Sequence, residues 1–61
     1  MSYEDTVDYL CKLLENHKEG YSINSAEVRE FLDNYDGYFE KLSNKEDVDI
    51  DWIVTIINGE N

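Results

Sequence analysis

The sequence predicts an all-α fold: a small three-helix domain over residues 3–19, 25–43 and 49–58. Three observations carry that expectation. Apolar residues recur at the spacing of one helix face through most of the 61 residues. The first two runs open on residues that cap helices, and the third opens on acidic residues that suit a helix start. No proline interrupts any of them. At this length the chain forms one domain, residues 1–61, and folding buries only about 60% of the surface its unfolded form exposes.

The first helix begins with Ser2 as a cap. Glu4 and Asp5 follow in the first turn, where the helix dipole favours negative charge. Tyr3, Val7, Leu10, Cys11 and Leu14 share a face. Tyr9 and Leu13 lie on another side, which gives the helix apolar surface for two neighbours. His17 and Lys18 fall in the expected last turn, and Gly20 can supply a left-handed C-cap.

The second helix has the clearest start. Asn24 and Glu27 match a capping box, and Ile23 and Val28 form the accompanying hydrophobic staple. Val28, Phe31, Leu32, Tyr35, Tyr38, Phe39 and Leu42 then keep a helical period. Gly37 lies inside the series, where it costs about 1 kcal/mol relative to alanine. The unbroken period favours one helix over residues 25–43, with a kink at Asp36-Gly37 as the alternative.

The third segment is ambiguous. Val48 to Trp52 alternate like a strand, and Ile53 to Ile57 are rich in β-branched residues. A strand over residues 48–57 has no second good strand to pair with. A helix over 49–58, with Asp49 and Asp51 at its start and Gly59 past its end, is the better reading.

Charge is the strongest functional signal. Fifteen Asp and Glu against five Lys and Arg give a net charge of −10, and the carboxylates run from Glu4 to Glu60. With 41% hydrophobic residues, this is not the composition of a disordered acidic tail. The acidic start and the single cysteine lead us to expect a cytoplasmic protein (host cytoplasm, if phage-encoded) with no membrane partner. Direct nucleic-acid binding would be repulsive.

Metal and cofactor chemistry are not expected. If Gly37 held the turn of a calcium loop, Leu32 and Ser43 would occupy ligand positions. In the run Asp47, Asp49, Asp51, Trp52 stands where that loop needs glycine. One Cys and one His cannot form a zinc site, and Cys11 reads as a small buried apolar residue. No phosphate loop, nucleophile elbow or cofactor fingerprint is present, and so small a domain offers little shelter for raised-pKa acids. The expectation is therefore a non-enzyme with no cofactor.

Residues 27–51 hold nine acidic and three basic residues. Glu27, Glu30, Asp33, Asp36 and Glu40 are expected to form one acidic face, continued by Glu46, Asp47, Asp49 and Asp51. Tyr35, Tyr38 and Trp52 are candidate anchors, although each also suits an ordinary core position. The pattern suggests an inhibitor or interaction protein for a basic surface on a nucleic-acid-binding or -processing protein. Nucleic-acid mimicry by a phage or mobile-element protein fits that reading. A compact domain of this length is about 25–30 Å across, and duplex DNA of that length carries on the order of 16 phosphates. The alternative is a homodimeric helical bundle, or the antitoxin of a basic toxin.

Overall fold

Where the sequence suggests three helices, the chain forms four. The computed structural model describes residues 2–59, so Glu60 lies outside it. The helices are α1 (Tyr3–Glu15), α2 (Ser25–Asn34), α3 (Asp36–Ser43) and α4 (Ile50–Gly59). No strand occurs among the described residues, and the segment that alternates like a strand is helical. No helix is long and apolar enough to cross a membrane.

The expected helix starts are present. Ser2 Oγ accepts from the Asp5 N–H at 3.2 Å. Asn24 Oδ1 accepts from the Glu27 N–H at 2.9 Å, and Glu27 Oε1 accepts from the Asn24 N–H at 3.2 Å, completing the capping box. At α4, Asp49 Oδ1 accepts from the Trp52 N–H at 3.1 Å.

The ends differ from expectation. α1 stops at Glu15, so His17 and Lys18 lie beyond it. The next stripe positions after Leu14 are polar, so a longer helix would bury nothing further. The chain continues in tight turns, with Gly20 N–H bonded to His17 O at 3.1 Å and Ile23 N–H bonded to Gly20 O at 3.1 Å. Gly20 is buried, and it does not adopt the expected left-handed conformation.

The left-handed cap sits instead at Lys45, with φ 56°. There the Lys45 N–H bonds to Leu42 O at 3.0 Å and the Glu46 N–H to Lys41 O at 2.9 Å. This is the Schellman pattern closing α3.

The continuous helix over 25–43 is also corrected. It breaks at Tyr35, with φ −130° and ψ 67°. A straight 19-residue helix would be about 28 Å long, yet the longest dimension of the domain is 27 Å. The break turns α3 back onto α1. Asn34, Asp36 and Gly37 favour a break there, being weak helix formers. Periodicity missed it because both halves keep their apolar faces inward.

α1 packs against all three other helices, as its two apolar sides suggest. The core comprises Val7, Leu10, Leu14, Val28, Phe31, Leu32, Leu42, Ile53, Val54 and Ile57. Buried Thr6 supplies its polar link: its hydroxyl donates to Ser2 O at 2.9 Å and lies 3.1 Å from Ser43 Oγ. Cys11 is only half-buried, since its position lies at the edge of the α1 stripe.

Candidate protein-binding face

The break at Tyr35 assembles a cluster of four aromatic rings. Phe31 is buried on α2, Tyr35 sits at the junction, Tyr38 is on α3 and Trp52 is on α4. Tyr38 stacks on Trp52 at 5.2 Å between ring centroids, and Tyr35 meets Trp52 edge-on at 5.5 Å. Phe31 lies behind them, 4.9 Å from Tyr35 and 5.7 Å from Tyr38. The three anchor candidates are thus neighbours, each half-buried. The fourth ring belongs to the apolar stripe, but its place in this cluster depends on how α4 docks.

The expected acidic face of α2 is split. Successive steps of three residues rotate a position by about 60° around a helix, so Glu27, Glu30 and Asp33 diverge. Asp33 Oδ1 faces α1, where it accepts from the Tyr3 hydroxyl at 3.3 Å. Loss of hydration, followed by the Asp33 charge, raises the Tyr3 phenol above its ordinary value. Glu27 belongs to the capping box, while Glu30 is exposed on the side facing α4. Asp36 and Glu40 are exposed on α3.

The later carboxylates have different settings. Glu46 and Asp47 are exposed in the α3–α4 connection, and Asp49 caps α4. Asp51 is tied to His17. The His17 Nδ1 accepts from the Glu19 N–H at 3.0 Å, which leaves Nε2–H to donate to Asp51 Oδ1 at 2.5 Å. His17 is therefore neither a dipole partner in α1 nor freely solvated. It fastens the α1–α2 loop to α4, assisted by the Asn58 side-chain amide, which donates to Glu19 O at 3.0 Å.

The nine carboxylates of residues 27–51 outnumber the three cations of the same stretch. Arg29 Nη2 donates to Glu4 Oε1 on α1 at 2.6 Å. Lys41 Nζ lies 5.8 Å from the Tyr38 ring centroid, and Lys45 Nζ lies 5.8 Å from that of Tyr9. Among the described residues, none of the three pairs with a carboxylate of this stretch.

Between α2 and α4 runs a groove of about 180 Å³. Phe31, Tyr35, Ile56 and Ile57 contribute its apolar surface; Glu27, Glu30 and Asn34 contribute its polar one. Among the described residues, no group of three or more His, Cys, Asp or Glu is placed to hold a metal ion. Burial raises the Cys11 thiol above its ordinary value, and the Asp8 and Glu15 charges add to the effect. A thiol so perturbed is a poor nucleophile near neutrality.

Compared with known protein families, curated proteins and solved structures, the chain matches none.

Proposed function

We propose that this protein is a non-enzymatic interaction protein that binds, and thereby blocks, a basic surface of a nucleic-acid-binding or -processing protein. One observation carries the reading. Glu27 and Glu30 line a groove together with Phe31 and Tyr35 of the aromatic cluster, and residues 27–51 carry nine carboxylates against three cations, none of which pairs with them among the described residues. The net negative field of this stretch steers basic partners into contact and orients them. Tyr35, Tyr38 and Trp52 supply ring surface that desolvates on contact.

In size and charge count the domain is comparable to a short nucleic acid, although its carboxylates lie on several faces. A length of 27 Å corresponds to about 16 duplex phosphates, and the chain carries 15 carboxylates. Action against host machinery by a phage or mobile-element protein would suit so small and acidic a chain.

The test is affinity capture from a nuclease-treated cell lysate, with elution by a salt gradient and identification by mass spectrometry. The recovered partners should be basic nucleic-acid-binding proteins that elute with rising salt and are displaced by added DNA or RNA. Recovery of acidic partners, or of partners unconnected with nucleic acid, overturns the proposal. Self-association that persists at high salt would favour the helical-bundle alternative, because apolar contacts resist screening.

A further inference from the structure

The groove between α2 and α4 narrows the choice of partner. Resting on the reading above, we infer that it receives an arginine side chain flanked by apolar residues, presented by the basic partner protein. A volume of about 180 Å³ is below the roughly 300–1,000 Å³ of small-molecule and cofactor sites. It suits one large side chain and part of its neighbour.

The groove's chemistry selects that side chain. Among the described residues its acidic groups are Glu27 and Glu30, and no basic residue lines it. Glu27 Oε1 is occupied by the Asn24 N–H, which fixes the carboxylate, while its second oxygen makes no hydrogen bond among the described residues. Glu30 makes no hydrogen bond or ion pair among the described residues. Phe31, Tyr35, Ile56 and Ile57 provide the surface against which an aliphatic stem and apolar neighbours can be buried.

A guanidinium fits these surroundings better than an ammonium. It is planar, binds carboxylates through two N–H groups and packs on aromatic rings with less loss of hydration. Tyr35 is held by Phe31 at 4.9 Å and Trp52 at 5.5 Å, so the aromatic wall is already positioned. A preformed wall lowers the ordering cost of binding.

The probe is the peptide N-acetyl-Leu-Arg-Leu-amide, with its Leu-Lys-Leu counterpart as control. Each is titrated into the ¹⁵N-labelled full chain at low salt, and amide shifts are followed by NMR. The arginine peptide should perturb Glu30, Asn34, Tyr35, Ile56 and Ile57 selectively. It should bind about threefold more tightly than the lysine peptide, a difference within the range of an exposed ion pair, because a guanidinium offers Glu30 two N–H groups where an ammonium is a point charge. Glu30→Gln should remove that preference while leaving the capping box intact.

Shifts spread equally over the α1 and α3 carboxylates, with no preference for arginine, overturn the groove assignment. The wider proposal of a basic partner would survive that result, because it falls only to the lysate capture. An unchanged arginine preference in Glu30→Gln likewise overturns the assignment.

Discussion

Replacing Gly20 with alanine should destabilise the fold by about 1–3 kcal/mol, the usual range for overpacking a filled core. A Cβ built at this position meets Val54 Cγ2 at 3.0 Å, Leu14 O at 3.1 Å and His17 Cβ at 3.3 Å. Val54 is only 2% exposed and has nowhere to retreat. The Leu14 oxygen belongs to the backbone, where it accepts from the His17 N–H. At His17 the side chain is held by Asp51. A chain of 61 residues has a total stability of roughly 3–9 kcal/mol, so this single methyl would remove a substantial share. Urea unfolding followed by Trp52 fluorescence and far-UV circular dichroism measures the effect. With a slope of about 1 kcal/mol/M, the midpoint should fall by roughly 1–3 M. Gly37→Ala is the internal contrast. Its Cβ meets nothing within 4 Å and its φ is not positive, so it should stabilise by about 0.4–1 kcal/mol. Combining Gly20→Ala with Val54→Ala should cost less than the sum of the two, because one clash is removed. A Gly20→Ala variant within about 0.5 kcal/mol of the parent, the range of an ordinary surface substitution, would refute the packing argument.

Two further outcomes follow from charge. Screening lengths fall from about 30 Å at 0.01 M salt to about 3 Å at 1 M, and the domain is 27 Å long. Sodium chloride should therefore raise the urea midpoint over that range by relieving repulsion across the whole molecule; a flat or falling midpoint contradicts this. The Cys11 thiol is raised in the folded state by burial, then by Asp8 and Glu15. Its contribution to stability is thus present below the ordinary thiol value and lost as pH rises through the folded one. Iodoacetamide at about pH 8 should label Cys11 more slowly in the folded protein than in urea. Equal rates, read by mass spectrometry, would contradict the shift.

What the sequence made legible was mostly local. The caps at Ser2, Asn24 and Asp49 depend on neighbouring residues, and all three form as the residue types suggest. The apolar stripes are equally visible, because burying them is what keeps the helices in place. Features that depend on another helix were harder to see. Gly20 resembles a left-handed cap until α4 brings Val54 against it, whereas Lys45 adopts that conformation without being glycine. The break at Tyr35 falls one residue before the kink that Asp36-Gly37 offered as the alternative, and the unbroken apolar period argued against it. Of the candidate face, the rings of Tyr35, Tyr38 and Trp52 converge. Asp33 and Asp51, however, are held by Tyr3 and His17. The groove could not be read at all, because Ile56 and Ile57 line it only through the docking of α4 on α2.

The interruption at Tyr35 also bears on how the domain comes apart. Uninterrupted, residues 25–43 would exceed the length below which isolated helices are marginal in water. Divided, they give segments of 10 and 8 residues, below the roughly 12–15 residues at which isolated helices become even marginal in water. α4, with 10 residues, is also too short. Their secondary structure therefore exists only while the helices are docked. Loss of helix in α2, α3 and α4 and exposure of Trp52 should therefore occur together in one transition, with any residual helix confined to the 13 residues of α1.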